Sequence, residues 1–190
     1  LVQDVLDYID SYKASLSVTA TATSDADYLQ TNSGAWVESL AGDDVVEFNS
    51  GHDMQAKGGE GNDILIGGGA NNDYLLGEGG NDIIVAGTTT SSSNMQGGDG
   101  NDILIGQSYN SSIQYNGGAG IDTAYVPGSF SDFTVRYDKP PQGAQLVLIP
   151  NQGSGGSHDF YSIETIYFND GKFQLVDGAL VKVANVYELN

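Results

Sequence analysis

Seven aspartates recur at a near-constant interval: Asp44, Asp53, Asp63, Asp73, Asp82, Asp102 and Asp122, with steps of 9, 10, 10, 9, 20 and 20 residues. The two long steps are double units whose middle member has lost its acid, AGTTTSSSNMQ in one and GQSYNSSIQYN in the other. Around these aspartates the chain follows the pattern G-G-x-G-x-D-x-U-x, with U a large apolar residue. Glycine reaches positive φ at no Cβ cost and lets backbone carbonyls turn toward a common point. Carbonyl and carboxylate oxygens are hard donors, and Ca²⁺ takes six to eight of them. One turn cannot supply that number, whereas two neighbouring turns can. The spacing therefore predicts calcium as a staple between turns.

Turns that alternate between the two edges of a flattened solenoid bring aspartates two units apart into one stack. Asp44, Asp63, Asp82, Asp102 and Asp122 then line one edge, and Asp53 and Asp73 the other. The stacked pairs 44/63, 63/82, 82/102, 102/122 and 53/73 predict about five Ca²⁺ ions. Their +10 takes the formal charge of −19, from 25 acidic and 6 basic residues, to −9. Without metal, carboxylates repeat at the inter-strand spacing of about 4.8 Å. That costs on the order of 1 kcal/mol per neighbouring pair even at bulk dielectric. Metal binding and folding are thus expected to be one event, and the metal-free chain, acidic and glycine-rich, is expected to be disordered.

The elements that must hold these groups are short. Each aspartate precedes a triplet such as Ile64-Leu65-Ile66, Tyr74-Leu75-Leu76, Ile83-Ile84-Val85 or Ile103-Leu104-Ile105, apolar and β-branched enough for one strand per coil. Strand alternation points Leu65, Leu75, Ile84 and Leu104 into a narrow core and their neighbours outward. An outer face that apolar needs a cover, which is assigned to the flanks and especially to the C-terminal region. Fainter copies extend upstream, with Asp27 before Tyr28-Leu29-Gln30 and Trp36-Val37-Glu38 one unit before Val45-Val46-Glu47. The fold class is all-β: a parallel β-roll over residues 27–126, after an N-terminal helix and linker (1–26) and before a C-terminal antiparallel β cap (127–190).

The helix is read from Val2, Val5, Leu6, Ile9 and Leu16 at near-helical spacing, with Asp4, Asp7 and Asp10 on the other side. It is expected to cap the open end of the roll, where bare strand edges invite aggregation, or to belong to a preceding linker. The cap is read from FTVRY, a Pro-Pro-Gln-Gly turn, QLVLIP, a polar loop NQGSGGSHD and a hairpin, IETIYF-NDG-KFQLV, whose turn is Asn169-Asp170-Gly171.

Six scattered bases exclude nucleic acid and anionic membrane surfaces as partners, because phosphate binding needs clustered Lys and Arg. There is no cysteine, so calcium takes the stapling role that disulfides fill in many secreted proteins. No apolar run approaches the roughly 20 residues of a membrane helix and no secretory signal peptide opens the chain, which reads as a piece of something larger, monomeric in isolation.

These features together resemble the RTX family, the haemolysin-type calcium-binding repeat proteins exported by Gram-negative type I secretion systems. The resemblance runs from Asp44 to about Tyr125 and continues through GGAGIDTAYVPGSFSDFTV and SIETIYFNDGKFQL. It implies an extracellular β-roll, unfolded in the low-calcium cytosol and folded outside, exported through an uncleaved C-terminal signal with the type I machinery as a transient partner. Carried over by position, the metal aspartates are Asp44, Asp63, Asp82, Asp102 and Asp122, with Asp53 and Asp73 opposite. Carbonyls of Gly58, Gly59, Gly61, Gly68, Gly77, Gly79, Gly97, Gly98, Gly100, Gly117, Gly118 and Gly120 complete the shells. Asn71 replaces a fourth-position glycine, Glu78 a second-position one, and the units around Thr89 and Asn110 lack the acid, which weakens the second edge.

Three functional classes fit such a module. The first is a non-enzymatic, calcium-folded part of a large surface adhesin. The second is a non-catalytic module of a secreted hydrolase, lyase or epimerase. The third is direct binding of a ligand such as ice or polysaccharide. No G-x-S-x-G, zinc motif or nucleotide loop is present, and catalysis within these residues is not expected. The regular threonine row of an ice-binding solenoid is also missing; Thr19, Thr21 and Thr23 are too short a run to replace it. His52 and His158 read as surface or packing residues, Asp25 with Asp27 as a solvated turn, and Trp36 and the tyrosines as packing.

Overall fold

The computed structural model describes residues 2–16, 18–19, 21–31, 36–49, 53–69, 72–88, 92–138, 146–153, 156–177 and 179–183. His52, Asn71, Thr89, the Pro-Pro-Gln-Gly turn and residues 184–190 lie outside them. After helix α1 (Val2–Ser15) and strand β1 (Val18–Thr19), each coil contributes one strand to each of two sheets. The coil strands are β2 (Tyr28–Thr31), β3 (Trp36–Glu38), β4 (Val45–Phe48), β5 (Gln55–Glu60), β6 (Ile64–Ile66) and β7 (Asp73–Gly79). They continue as β8 (Ile83–Val85), β9 (Ser93–Asp99), β10 (Ile103–Ile105), β11 (Ile113–Ala119) and β12 (Thr123–Tyr125). The cap holds β13 (Phe133–Arg136), β14 (Leu146–Pro150), β15 (His158–Tyr161), β16 (Thr165–Phe168), β17 (Gly171–Val176) and β18 (Ala179–Val183).

The first sheet runs β1-β2-β4-β6-β8-β10-β12-β16-β17-β18 and the second β13-β14-β15-β11-β9-β7-β5-β3. All coil-to-coil pairs are parallel, and the predicted upstream copies are real: Tyr28 pairs with Val45, and Trp36 with Gln55. The predicted cap is antiparallel at its margins, where β13 pairs with β14 and β17 with both β16 and β18. Its β15 and β16 instead join β11 and β12 in parallel. The cap thus adds one more rung to each sheet before its hairpins cover the end. His158 and Asp159, read as loop, begin β15.

The core is two columns of inward side chains. Leu29, Val46, Leu65, Ile84, Leu104, Ala124 and Ile166 share one register, and Ala56, Leu75, Met95, Tyr115 and Phe160 the other; all are buried. Each large aliphatic side chain so buried contributes roughly 1.5–3 kcal/mol. The strand is therefore the unit that pays into the core, and a coil is stable only with neighbours above and below.

The outer face of the first sheet does have a cover, but it comes from the N-terminus. Ile9 of α1 is buried in one apolar cluster with Tyr28, Val45, Ile64, Val85, Ile105 and Tyr125, and Val2, Val5, Leu6 and Leu16 pack against that cluster. The helix thus lies over the outer face of the first sheet rather than over the open end of the roll. Its 14 residues extend about 21 Å at about 1.5 Å per residue. Six strands at about 4.8 Å spacing span about 24 Å, so one helix of this length, with Leu16 just beyond it, covers most of the ladder from β2 to β12. Tyr12 donates to the Asp43 carbonyl at 2.6 Å, and Lys13 pairs with Glu47 at 2.6 Å. Ile9→Ala should cost about 2–5 kcal/mol, lowering the melting temperature of the calcium-loaded protein while its β circular-dichroism signal persists. An unchanged melt would show that the helix is not a structural cover.

Candidate metal centre

The first edge carries the predicted ladder. The backbone N–H of Asp44 donates to Oδ1 of Asp63, Asp63 to Asp82, Asp82 to Asp102 and Asp102 to Asp122, each at 2.8 Å. Every carboxylate thus caps an amide of the preceding coil with one oxygen. The other oxygen, Oδ2 of Asp44, Asp63, Asp82, Asp102 and Asp122, is buried and has no hydrogen-bond partner. An orphaned buried carboxylate oxygen is costly unless something positive meets it.

The glycines show where that partner fits. A Cβ placed on Gly77 would lie 2.0 Å from Asp82 Oδ2 and 2.5 Å from the Gly97 carbonyl. On Gly97 it would lie 2.0 Å from Asp102 Oδ2 and 2.6 Å from the Gly117 carbonyl. Gly58 repeats this with Asp63 Oδ2 and the Gly77 carbonyl, and Gly117 with Asp122 Oδ2 and the Ser162 carbonyl. Each cradle joins a carboxylate to a carbonyl of the following coil, the hard-oxygen donor set that suits Ca²⁺. Among the described residues no three His, Cys, Asp or Glu side chains converge, so backbone carbonyls must supply much of any shell. A calcium ion held there would neutralise the acids and cross-link adjacent coils.

Four glycine cradles stand on this edge, shifted by one coil from the expected pairs. In the first coil Ser39 occupies the place of Gly58, and its hydroxyl donates to the Gly58 carbonyl at 2.7 Å. At the far end the Asp122 cradle is completed by Ser162, a contributor that sequence reasoning did not identify. The ladder itself is also longer than read. Asp27 N–H donates to Asp44 Oδ1 at 2.7 Å, and Asp122 N–H to Glu164 at 2.8 Å. Asp27 is buried rather than in a solvated turn, and its Oδ2 accepts from the Thr23 N–H at 2.6 Å and hydroxyl at 2.9 Å. The signal for Glu164 was present: Glu164-Thr-Ile-Tyr repeats Asp122-Thr-Ala-Tyr with a longer acid.

The second edge departs from the phasing. Gln55 pairs with Tyr74, which sets Asp73 opposite Met54 and Asp53 opposite Asn72. Asp53 is exposed, at φ 52°, and accepts from Asn72 Nδ2 at 2.9 Å. It does not stack on Asp73, so no 53/73 pair exists. Ser93 follows Asp73 in the next coil, leaving Asp73 as a single buried acid with neither oxygen partnered. Its carboxylate lies beside Gly67 and Gly87, while Gly68 packs against Met54.

The other carried-over glycines are sorted by register. Gly61, Gly100 and Gly120 occupy the tight positive-φ turn, and its member in the intervening coil is Gly80, not Gly79. Gly79 pairs with Glu60 and Asp99 at the third repeat position. Gly59, Gly98 and Gly118 take positive φ at the second position, where Glu78 does so at φ 81°. His158 is buried against Tyr115 and Phe133 and contacts the Tyr109 carbonyl, a packing residue as expected. Trp36 is 55 % exposed, so it does not serve core packing; Lys57 lies over its ring.

Burial dominates the ionisation of the ladder. It pushes Asp82 up to about 8, Asp63 to about 7, and Asp44, Asp73 and Asp102 to about 6, with neighbouring acids adding to the rise at Asp63, Asp82 and Asp102. Asp122 is raised for the same first reason. A carboxyl whose folded value lies above its unfolded one binds more protons when folded. Metal-free stability is therefore present below about pH 4 and lost as pH rises through about 6 to 8.

Two outcomes follow. In EDTA the roll's circular-dichroism signal should be stronger near pH 4.5 than near pH 8, and a pH-independent spectrum contradicts the assignment. Asp82→Asn, which keeps the amide cap but removes the charge, should raise the calcium midpoint of folding about tenfold or more, about 1.4 kcal/mol. Asp53→Asn should leave that midpoint in place, and equal shifts would refute the register.

Residues 57–88 and 96–114 match the family model of the RTX calcium-binding nonapeptide repeat, in four copies. No curated protein matches the chain. The matched stretches contain Asp63, Asp73, Asp82 and Asp102 together with the cradle glycines Gly58, Gly77 and Gly97, and by this match the coils over those stretches carry RTX calcium-binding nonapeptide repeats.

Proposed function

We propose that this chain is a calcium-folded RTX module of a larger extracellular protein, a surface adhesin, in which it supports type I export, folding outside the cell and rigid extension of its parent. The observation that carries the reading is the row of buried, unpartnered Oδ2 atoms facing glycine cradles along one edge. In low calcium the acids repel one another and the coils do not wind; in extracellular calcium they are neutralised and the roll closes. The site residues proposed for the metal are Asp63, Asp82, Asp102 and Asp122 with their cradle carbonyls, and Asp73 as a separate acid on the second edge. The role is non-catalytic and the isolated module is monomeric. The type I secretion machinery is its partner during export from a Gram-negative cell.

A calcium titration followed by circular dichroism and small-angle scattering tests it. β signal and compaction should appear together between about 10⁻⁴ and 10⁻³ M, the range of extracellular calcium modules. A compact β fold persisting in EDTA at neutral pH would count against calcium-driven folding.

A further inference from the structure

The two outer faces of the roll differ in kind. The first sheet is apolar outside and covered by α1. The second presents rows of amides, hydroxyls and aromatic rings, one outward residue per coil: Gln55, Tyr74, Asn94, Gln114 and Asp159 in register. Between them runs a groove of about 310 Å³, lined by Tyr74, Asn94, Ser112, Gln114, Ser157 and Asp159 among others. We propose that this groove binds a neutral saccharide.

The lining chemistry selects that class. No Lys, Arg or His lines the groove among the described residues, and two carboxylates do, Asp73 and Asp159, so a phosphate, sulfate or uronate would meet like charge and no counter-charge. A bare cation would meet the carboxylates of Asp73 and Asp159 but would leave the amide N–H and serine O–H donors without an acceptor. Sugar hydroxyls both donate and accept, and so satisfy the whole set. Oδ1 of Asp159 is buried with no partner, an acceptor suited to hydroxyl donors. Asn94 donates to the side-chain carbonyl of Gln114, which leaves the N–H donors of Gln114 for a ligand. Gln96 donates to the Tyr74 hydroxyl at 2.9 Å, fixing a ring whose face suits the apolar side of a pyranose. Asp73, of the inward set of β7, also reaches the groove, whereas none of the first-edge aspartates lines it.

The test uses the whole chain in saturating calcium against an array of neutral gluco-, manno-, galacto- and xylo-oligosaccharides, with calorimetry on any binder. Binding should weaken about tenfold or more in Asp159→Asn and be lost in Tyr74→Ala, with the calcium midpoint of folding unchanged in Asp159→Asn. The proposal is overturned if the calcium-folded chain binds no neutral sugar, if it binds only acidic or amino sugars, or if binding survives both substitutions. Circular dichroism on the same samples separates this result from the calcium reading, since a chain that folds with calcium yet binds no sugar removes the groove alone.

Discussion

The structure depends on bringing like charges together. Five aspartates that would repel one another in water are stacked one strand-spacing apart and buried, because each must cap an amide of the coil before it. The arrangement is self-consistent in hydrogen bonds and inconsistent in charge. Half of every carboxylate is used by the backbone; the other half is left for a cation. Burial makes the conflict worse by raising the free energy of the ionised form, which is why proton and calcium are alternative solutions to one problem.

The hydrophobic parts inherit this dependence. The core columns take one side chain per strand, so no coil owns a core of its own. The surface beneath α1 is assembled likewise, from Val45, Ile64, Val85, Ile105 and Tyr125 on successive rungs. The helix therefore has a landing site only once the rungs are in register. Core, cover and ladder form together, as expected for a one-dimensional stack whose units gain stability from neighbours.

Much of this was legible in the residues. The period of 9 to 10, the alternation of edges and the apolar triplets led to the right coils and to inward Leu65, Leu75, Ile84 and Leu104. The misreadings have physical causes. Asp53 fits the spacing to within one residue, but a one-residue slip reverses a strand's faces, and burying Met54 inward forces Asp53 out. Gly79 and Gly80 are chemically identical neighbours, and only the register of β7 against β5 tells them apart. Glu164 was hidden by its extra methylene and by the break in glycine pattern before it. The role of α1 was unreadable because its apolar stripe specifies that something is covered, not what. Trp36 looked like core because tryptophan so often is, yet it sits on an outward position of an edge strand.

Glu164 and Asp27 give the stack a polarity. Each amide is capped by an acid that lies later in the chain, so a coil is complete only when its successor stands beside it. At the last repeat that successor is the cap, which offers Glu164, an exposed carboxylate, and the Ser162 carbonyl. At the first repeat Thr23 closes the series by donating to Asp27. The segment before the C-terminal hairpin thus completes the last repeat, and the N-terminal turn closes the first. A polypeptide emerging with its carboxyl end first would present each acid before the amide it caps, whereas one emerging amino end first would leave each amide uncapped until the next repeat appeared.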